Sequence, residues 1–194
     1  RLAGESLPAH VRDVDAGALS RVNLIDATPI GVNVRSTVAT YSGVLDELRR
    51  AFARTEEAQV AGLKPGAFSY NTGSLRCPTC DGTGQITLDV QFLPDVDIEC
   101  TECRGSRYGA QAASIRRDGL SLPDIMAMSV DEARVAVRGL KKAGALLETL
   151  SGLGLGYLTL GEATPALSGG EAQRLKLASE MGRRQDGTLF VFDE

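Results

Sequence analysis

Four cysteines stand in two Cys-x-x-Cys pairs, Cys77 and Cys80 in CPTC and Cys100 and Cys103 in CTEC, and the chain has no others. Two such pairs at this separation have the ligand type and spacing of a tetrahedral four-thiolate zinc site. The single histidine, His10, is remote in sequence, so the four thiols are expected to form the whole ligand set. Each pair must turn back so that both sulfurs meet one ion. Asp81-Gly82 and Arg104-Gly105 follow the second cysteine of each pair, and glycine there accepts positive φ at low steric cost. Four thiolates around Zn²⁺ leave a net double negative charge, which Arg76, Arg104 and Arg107, all near in sequence, are placed to offset.

A second constellation lies towards the end of the chain. In ALSGGEAQRLKLA (166–178), Ser168 and Glu171 have capping-box spacing, and Gly169-Gly170 leaves backbone N–H groups open at the helix start. Unpaired N–H groups at the positive end of a helix dipole favour an anion, phosphate above all. TLFVFDE then reads as a buried strand carrying Asp193 and Glu194 at its end. A carboxylate so placed can hold the water shell of Mg²⁺, and the next can position or deprotonate an attacking water. Without a ligand, the same residues would be a well-capped surface helix and an acidic strand end.

The elements that must position these groups are legible in outline. Residues 22–26 read as a short buried strand ended by Thr28-Pro29 and Gly31, and SGVLDELRRAFAR from Ser42 puts Val44, Leu45, Leu48 and Phe52 at helical spacing. ITLDVQF (86–92) alternates as a strand, FLPDVDIE is a connection or an edge strand, and ASIRRDGLSL is a hairpin about Asp118-Gly119. Ser129 and Glu132 form a further capping box, Lys141–Leu150 is helical, and SGLGLGY is its terminus and turn. That glycine run lacks the spacing and lysine of a phosphate loop. A helix from about Gly169 to Arg184 leads into the last strand.

With 43% hydrophobic and 24% charged residues, the chain suits one or two globular domains with a real core. It contains no apolar run of roughly 18–20 residues and no signal-peptide apolar region, so a soluble, cytoplasmic protein with reduced thiols is expected and no membrane partner. The net charge of −4 argues against coating nucleic acid through bulk charge and leaves that task to local clusters.

LSGGEAQR resembles the ABC-type ATPase signature motif and LFVFDE its Walker B strand with catalytic glutamate. Together with an inserted four-cysteine module they resemble the UvrA family. PIGVNVRSTVATYSGVLDELR, CPTCDGTG…FLPDVDIECTECRGSRY, MSVDEARVAV and LGLGYLTLGEATPALSGGEAQRLKLA are similar to successive segments of its second ATPase half, so the resemblance covers nearly the whole chain. It implies an α/β fold: a partial ABC-type P-loop ATPase core with a helical signature subdomain and an inserted zinc hairpin. The expected division is partial core over 1–70, zinc module over 71–110, helical signature subdomain over 111–165, and signature helix with Walker B strand over 166–194.

In function, the resemblance implies ATP-dependent recognition of damaged duplex DNA in nucleotide excision repair, with Zn²⁺, ATP and Mg²⁺ as cofactors. Its partners would be the other nucleotide-binding half of the same protein, a second copy in a homodimer, and other excision-repair subunits. Ser168, Gly169, Gly170, Glu171, Gln173 and Asp193 would bind nucleotide and Mg²⁺, and Glu194 would be catalytic. The Walker A loop expected upstream is missing from these residues, and the D-loop and switch histidine expected after Glu194 lie beyond them. The motif order therefore implies a piece of a longer ATPase, inactive alone. Where the family usually has a nucleotide-sensing glutamine, this chain has Ala27. That departure points to an alternative, a UvrA-like paralogue protecting against DNA-binding drugs.

Two other classes compete. CPTCDGTG matches the cysteine repeat of DnaJ-type chaperones, but this chain holds one full copy and a partial one, and a chaperone leaves LSGGEAQR and LFVFDE unexplained. A free-standing zinc ribbon for DNA would be basic, whereas Cys77 to Cys103 holds six carboxylates and no lysine or arginine. DNA contacts would then fall to residues such as Arg35, Arg116 and Arg117.

Overall fold

A computed structural model describes residues 9–31, 33–88, 96–182 and 185–193. β1 (Arg21–Ile25) pairs in parallel with the last strand, β6 (Thr188–Phe192), with Leu24 opposite Val191. Between them come α1 (Val38–Tyr41), α2 (Val44–Phe52) and α3 (Glu56–Val60), then a 3₁₀ turn at Pro65–Phe68. The hairpin β2 (Gln85–Leu88) and β3 (Val96–Glu99) follows, then α4 (Ala110–Ser114) and the short hairpin β4 (Arg116–Arg117) and β5 (Leu120–Ser121). The remainder is α5 (Leu122–Met126), α6 (Val130–Ala136), α7 (Lys141–Leu150) and α8 (Gly169–Met181).

One hydrophobic cluster runs from Ile30 to Ala178. The apolar stripe expected from periodicity on α2 is what enters it: Val44, Leu45, Leu48 and Phe52 are all buried. Leu147 and Leu150 of α7 and Ala172 and Leu175 of α8 meet it from the other side. The four cysteines form a second, separate cluster with Ile86 against it.

Local signals predict the helix starts well. Capping boxes close at Ser129–Glu132 and Ser168–Glu171, and two more, unread from the sequence, close at Thr37–Thr40 and Ser121–Asp124. Asp118 and Gly119 turn the β4–β5 hairpin with φ of 51° and 83°. The glycine run after α7 does not stop the helix at once. It widens into a π-turn over Ser151–Leu155, with Gly154 in the left-handed region.

The strands differ from expectation. Both were expected to be buried, yet Leu24 is 57% and Phe192 55% exposed, and Val22, Leu189 and Val191 are exposed too. α8 covers one side of β1, and no further strand flanks the pair among the described residues, so the remaining apolar side chains stay exposed. The strand expected over 86–92 is present over its described part, 85–88; residues 89–92 lie outside the description. FLPDVDIE supplies β3, an exposed partner for β2. No described helix is long and apolar enough to cross a membrane.

Candidate functional site

The two cysteine turns are built alike. Asp81, Gly82 and Gly84 follow Cys80 with φ of 50°, 79° and 80°; Arg104, Gly105 and Arg107 follow Cys103 with φ of 48°, 72° and 70°. Three left-handed residues at matching positions wrap each turn so that its amides converge on sulfur. The fourth residue on donates its N–H to the second sulfur of its own pair: Gly84 to Cys80 Sγ at 3.3 Å, and Arg107 to Cys103. The turns are also cross-linked. Cys77 donates to the Arg107 carbonyl at 2.9 Å, and Cys100 to the Gly84 carbonyl at 2.9 Å.

All four sulfurs come together. Cys77 and Cys100 lie 3.9 Å apart, Cys80 and Cys103 3.6 Å apart, and every pair falls within 4.8 Å. Tetrahedral zinc with bonds of about 2.3 Å separates its sulfurs by about 3.8 Å, whereas a disulfide needs about 2.05 Å. The cluster is dimensioned for an ion. All four cysteines are buried. At Cys80, burial, which raises the pKa, is outweighed by N–H donation from Gly84 and Gly82 and by the Cys103 and Cys77 thiols, bringing it to about 7. Burial, with Cys80 and Cys100, pushes Cys103 up to about 12 despite the Arg107 amide. Such a set ionises fully only against a cation. Zinc, when bound, would hold all four as thiolates and lock the two turns together.

Of the three arginines close in sequence, Arg76 is engaged by Asp81 at 3.0 Å and by the Asn71 carbonyl, and Arg104 is exposed. Arg107 is only 7% exposed. It donates to the Val34 carbonyl at 2.9 Å and lies over the Tyr70 ring, 5.3 Å from its centroid. Gly82 is fixed for another reason: a Cβ there would sit 1.8 Å from the Tyr70 carbonyl oxygen.

The glycine-started helix is set against β1 and its end by Gly169 and a polar stripe at positions 173, 176 and 180, one face of α8. A Cβ on Gly169 would lie 3.2 Å from both the Cβ and the carbonyl oxygen of Ala27. Gln173 donates its amide to the carbonyls of Ile25 at 3.1 Å and Asp193 at 3.0 Å, bridging the ends of β1 and β6. Lys176 holds the Asp26 carboxylate and the carbonyl and hydroxyl of Thr28, and Glu180 accepts from Arg21 and Asn23. The Lys176 ammonium, then the Thr28 hydroxyl, lower the Asp26 pKa to about 2.

At the helix start, Glu171 accepts from the Ser168 N–H at 2.7 Å and from the Tyr157 hydroxyl, and its pKa is lowered by these bonds, Tyr157 foremost. Outside its own helix turn, nothing among the described residues lies within 4 Å of where a Gly170 side chain would begin. Ser168, Gly169, Gly170 and Glu171 are thus gathered at one exposed helix end, with Gln173 and Asp193 behind them at the strand ends. Glu194 lies outside the described residues. Lys176, Glu180 and Tyr157 were not singled out from sequence. The first two were detectable as a polar i, i+3, i+7 continuation of the stripe opposite Ala172, Leu175 and Ala178.

Arg35, Arg116 and Arg117, considered above for DNA contact, all have protein partners. Arg35 takes the Asp81 carboxylate and carbonyl, Arg116 the Gly119 carbonyl and Asp124, and Arg117 takes Asp118.

The chain is thus a mixed α/β structure with a four-thiol cluster apart from its main core and a glycine-started helix against a parallel strand pair. No family model matches the chain. It is similar to the UvrABC system protein A of Bacillus subtilis, 45% identical over 177 residues, and of Synechocystis, 44% identical over 178, each alignment covering 91% of this chain. The crystal structure of UvrA2 from Deinococcus radiodurans superposes on 91% of the chain with a TM-score of 0.85 at 40% identity, and this chain covers 22% of that one. The chain belongs to the UvrA family. It spans about a fifth of the length of the curated relatives it matches.

Proposed function

We propose that this chain is part of a UvrA-type, ATP-dependent DNA damage-recognition protein of nucleotide excision repair, from its C-terminal ABC-type ATPase half. The observation that carries the reading is the open end of α8. Ser168 caps the helix, Gly169 is packed on Ala27, and Gly170 faces space that no other element among the described residues fills. In that reading, the space receives the triphosphate held by the other nucleotide-binding half. Ser168 offers a hydroxyl, Gly169 and Gly170 offer close backbone N–H groups, and Glu171 orients the cap.

Gln173 positions rather than touches: its bridge to the Ile25 and Asp193 carbonyls holds the strand end from which Asp193 serves Mg²⁺ and Glu194 serves the attacking water. ATP and Mg²⁺ belong to the assembled protein. This chain carries no G-x-x-x-x-G-K-[ST] loop and is expected to show no turnover alone. The four-cysteine module over 71–110, Zn²⁺-bound, would couple the partial core (1–70), the helical subdomain (111–165) and the signature segment (166–194) to damaged duplex. A homodimer and other excision-repair subunits complete the assembly in the cytoplasm. The exposed apolar faces of β1 and β6 support the reading, because parallel strands are stable when both faces are covered.

Ala27 favours one alternative, a paralogue giving resistance to DNA-binding drugs, since the residue packed against Gly169 is not the usual glutamine. The test is survival of a repair-deficient bacterium carrying the whole gene. Restored resistance to ultraviolet light supports general repair. Resistance to DNA-binding drugs alone supports the paralogue, and restoration of neither contradicts both.

A further inference from the structure

Arg107 breaks a rule that its own repeat obeys. At the matching position of the first cysteine turn stands Gly84, and both residues hold positive φ, 80° and 70°. A non-glycine residue in that conformation persists where its surroundings over-determine it. Here they do. The backbone of Arg107 accepts from Cys77 and donates to Cys103, so it touches both cysteine pairs. Its side chain leaves the cluster, crosses the Tyr70 ring and donates to the Val34 carbonyl. It has no carboxylate partner among the described ion pairs; the titratable groups facing it are Tyr70, Cys80, Cys103 and Arg35. Its Nε is buried without a partner.

The segment it reaches, Asn33–Thr37, is held from several sides. Arg35 binds Asp81 beyond the first cysteine pair, while the Tyr70 hydroxyl donates to the Arg35 carbonyl and lies 3.0 Å from the Thr37 hydroxyl. The segment in turn holds the approach to α8. Thr164 donates to the Ser36 carbonyl at 2.9 Å, and Thr37 pairs with Ala163, five residues before Ser168.

We propose that Arg107 is the positioning residue through which the state of the four-cysteine centre reaches Asn33–Thr37 and, from there, the segment leading into the glycine-started helix. This rests on the zinc reading of the cysteines. The planar guanidinium suits the task because it stacks on the ring and donates sideways at once, which an ammonium cannot do.

The test is hydrogen exchange on the zinc-loaded 194-residue chain, with zinc content measured in the same samples. In the wild type, removing zinc with a chelator should raise exchange at the Arg35, Ser36 and Thr164 amides at least about tenfold, while Leu48 and Leu175 in the core stay unchanged. Arg107→Met should show the raised exchange with zinc still bound, and chelation should add less than about twofold. If Arg107→Met does not retain zinc, Arg107→Lys carries the same expectation. Wild-type exchange that is indifferent to zinc overturns the proposal, as does a zinc-loaded variant that exchanges like wild type. Wild-type protein purified without zinc would strike the zinc reading itself.

Discussion

Lys176 shows how much one side chain can hold. Its ammonium reaches the Asp26 carboxylate and two oxygens of Thr28, pinning the chain as it leaves β1. Asp26 titrates at about 2 instead of its ordinary 3.8, with Lys176 the larger cause and Thr28 the next. A carboxylate lowered in the folded state stabilises the fold fully above its unfolded pKa, and that contribution is lost as pH falls from about 4 through about 2. Lys176→Met should therefore raise the Asp26 pKa towards 3.8 and weaken this part of the acid sensitivity. A carboxyl-carbon NMR titration reads it directly, and an Asp26 that still titrates near 2 would contradict the assignment. Lysine at 176 was hard to single out in the sequence because its partners lie some 150 residues away. The Ser168–Glu171 box was legible because its partners are three residues apart.

The two cysteine turns are one element used twice, and their differences make predictions at that scale. Gly82 and Gly105 both hold positive φ, so alanine at either costs roughly 1 to 2 kcal/mol in backbone strain. Beyond that the sites part. A Cβ at Gly82 meets the Tyr70 carbonyl oxygen, whereas one at Gly105 finds only the flexible Glu99 side chain at 3.6 Å. Gly105→Ala should keep zinc and lose about 1 to 2 kcal/mol. Gly82→Ala should lose more and release zinc faster to a chromophoric chelator. Equal behaviour of the two would show that Tyr70 does not set the position of the first turn. Glycine's use here was readable from the Asp-Gly and Arg-Gly steps. The left-handed Arg107 was not, because an arginine carries no mark of that conformation in sequence. Likewise, periodicity found α2 because its stripe is local, but the burial of β1 and β6 was misjudged. An apolar strand declares that it can be covered and not what covers it.

At the scale of the molecule, the cysteine cluster and the main core are separate clusters of buried side chains, with polar contacts such as Arg107 to the Val34 carbonyl and Arg35 to Asp81 running between the cysteine turns and residues 33–37. One zinc per chain is expected. Cys100→Ser should unfold the β2–β3 hairpin and its turns while leaving the helices largely intact, since Leu48, Leu147 and Leu175 do not depend on the metal for their burial. Local hydrogen exchange together with elemental analysis checks this, and global unfolding of the variant would contradict it.

The central claim is that α8 acts on a nucleotide held elsewhere, and one substitution tests it most directly. Outside its own helix turn, no described residue lies within 4 Å of where a Gly170 side chain would begin, and an aspartate in the first turn of a helix is favourable to its dipole by a few tenths of a kcal/mol. Gly170→Asp should therefore leave thermal stability and zinc content at or slightly above wild type. Opposite a triphosphate, however, the same carboxylate repels the phosphates and fills the space they need. In the protein carrying both nucleotide-binding halves, ATPase turnover of Gly170→Asp should fall at least about a hundredfold, and that of Gly170→Ala should fall less. Loss of turnover in a fully stable, zinc-loaded protein is the predicted result; turnover near wild type would contradict the account.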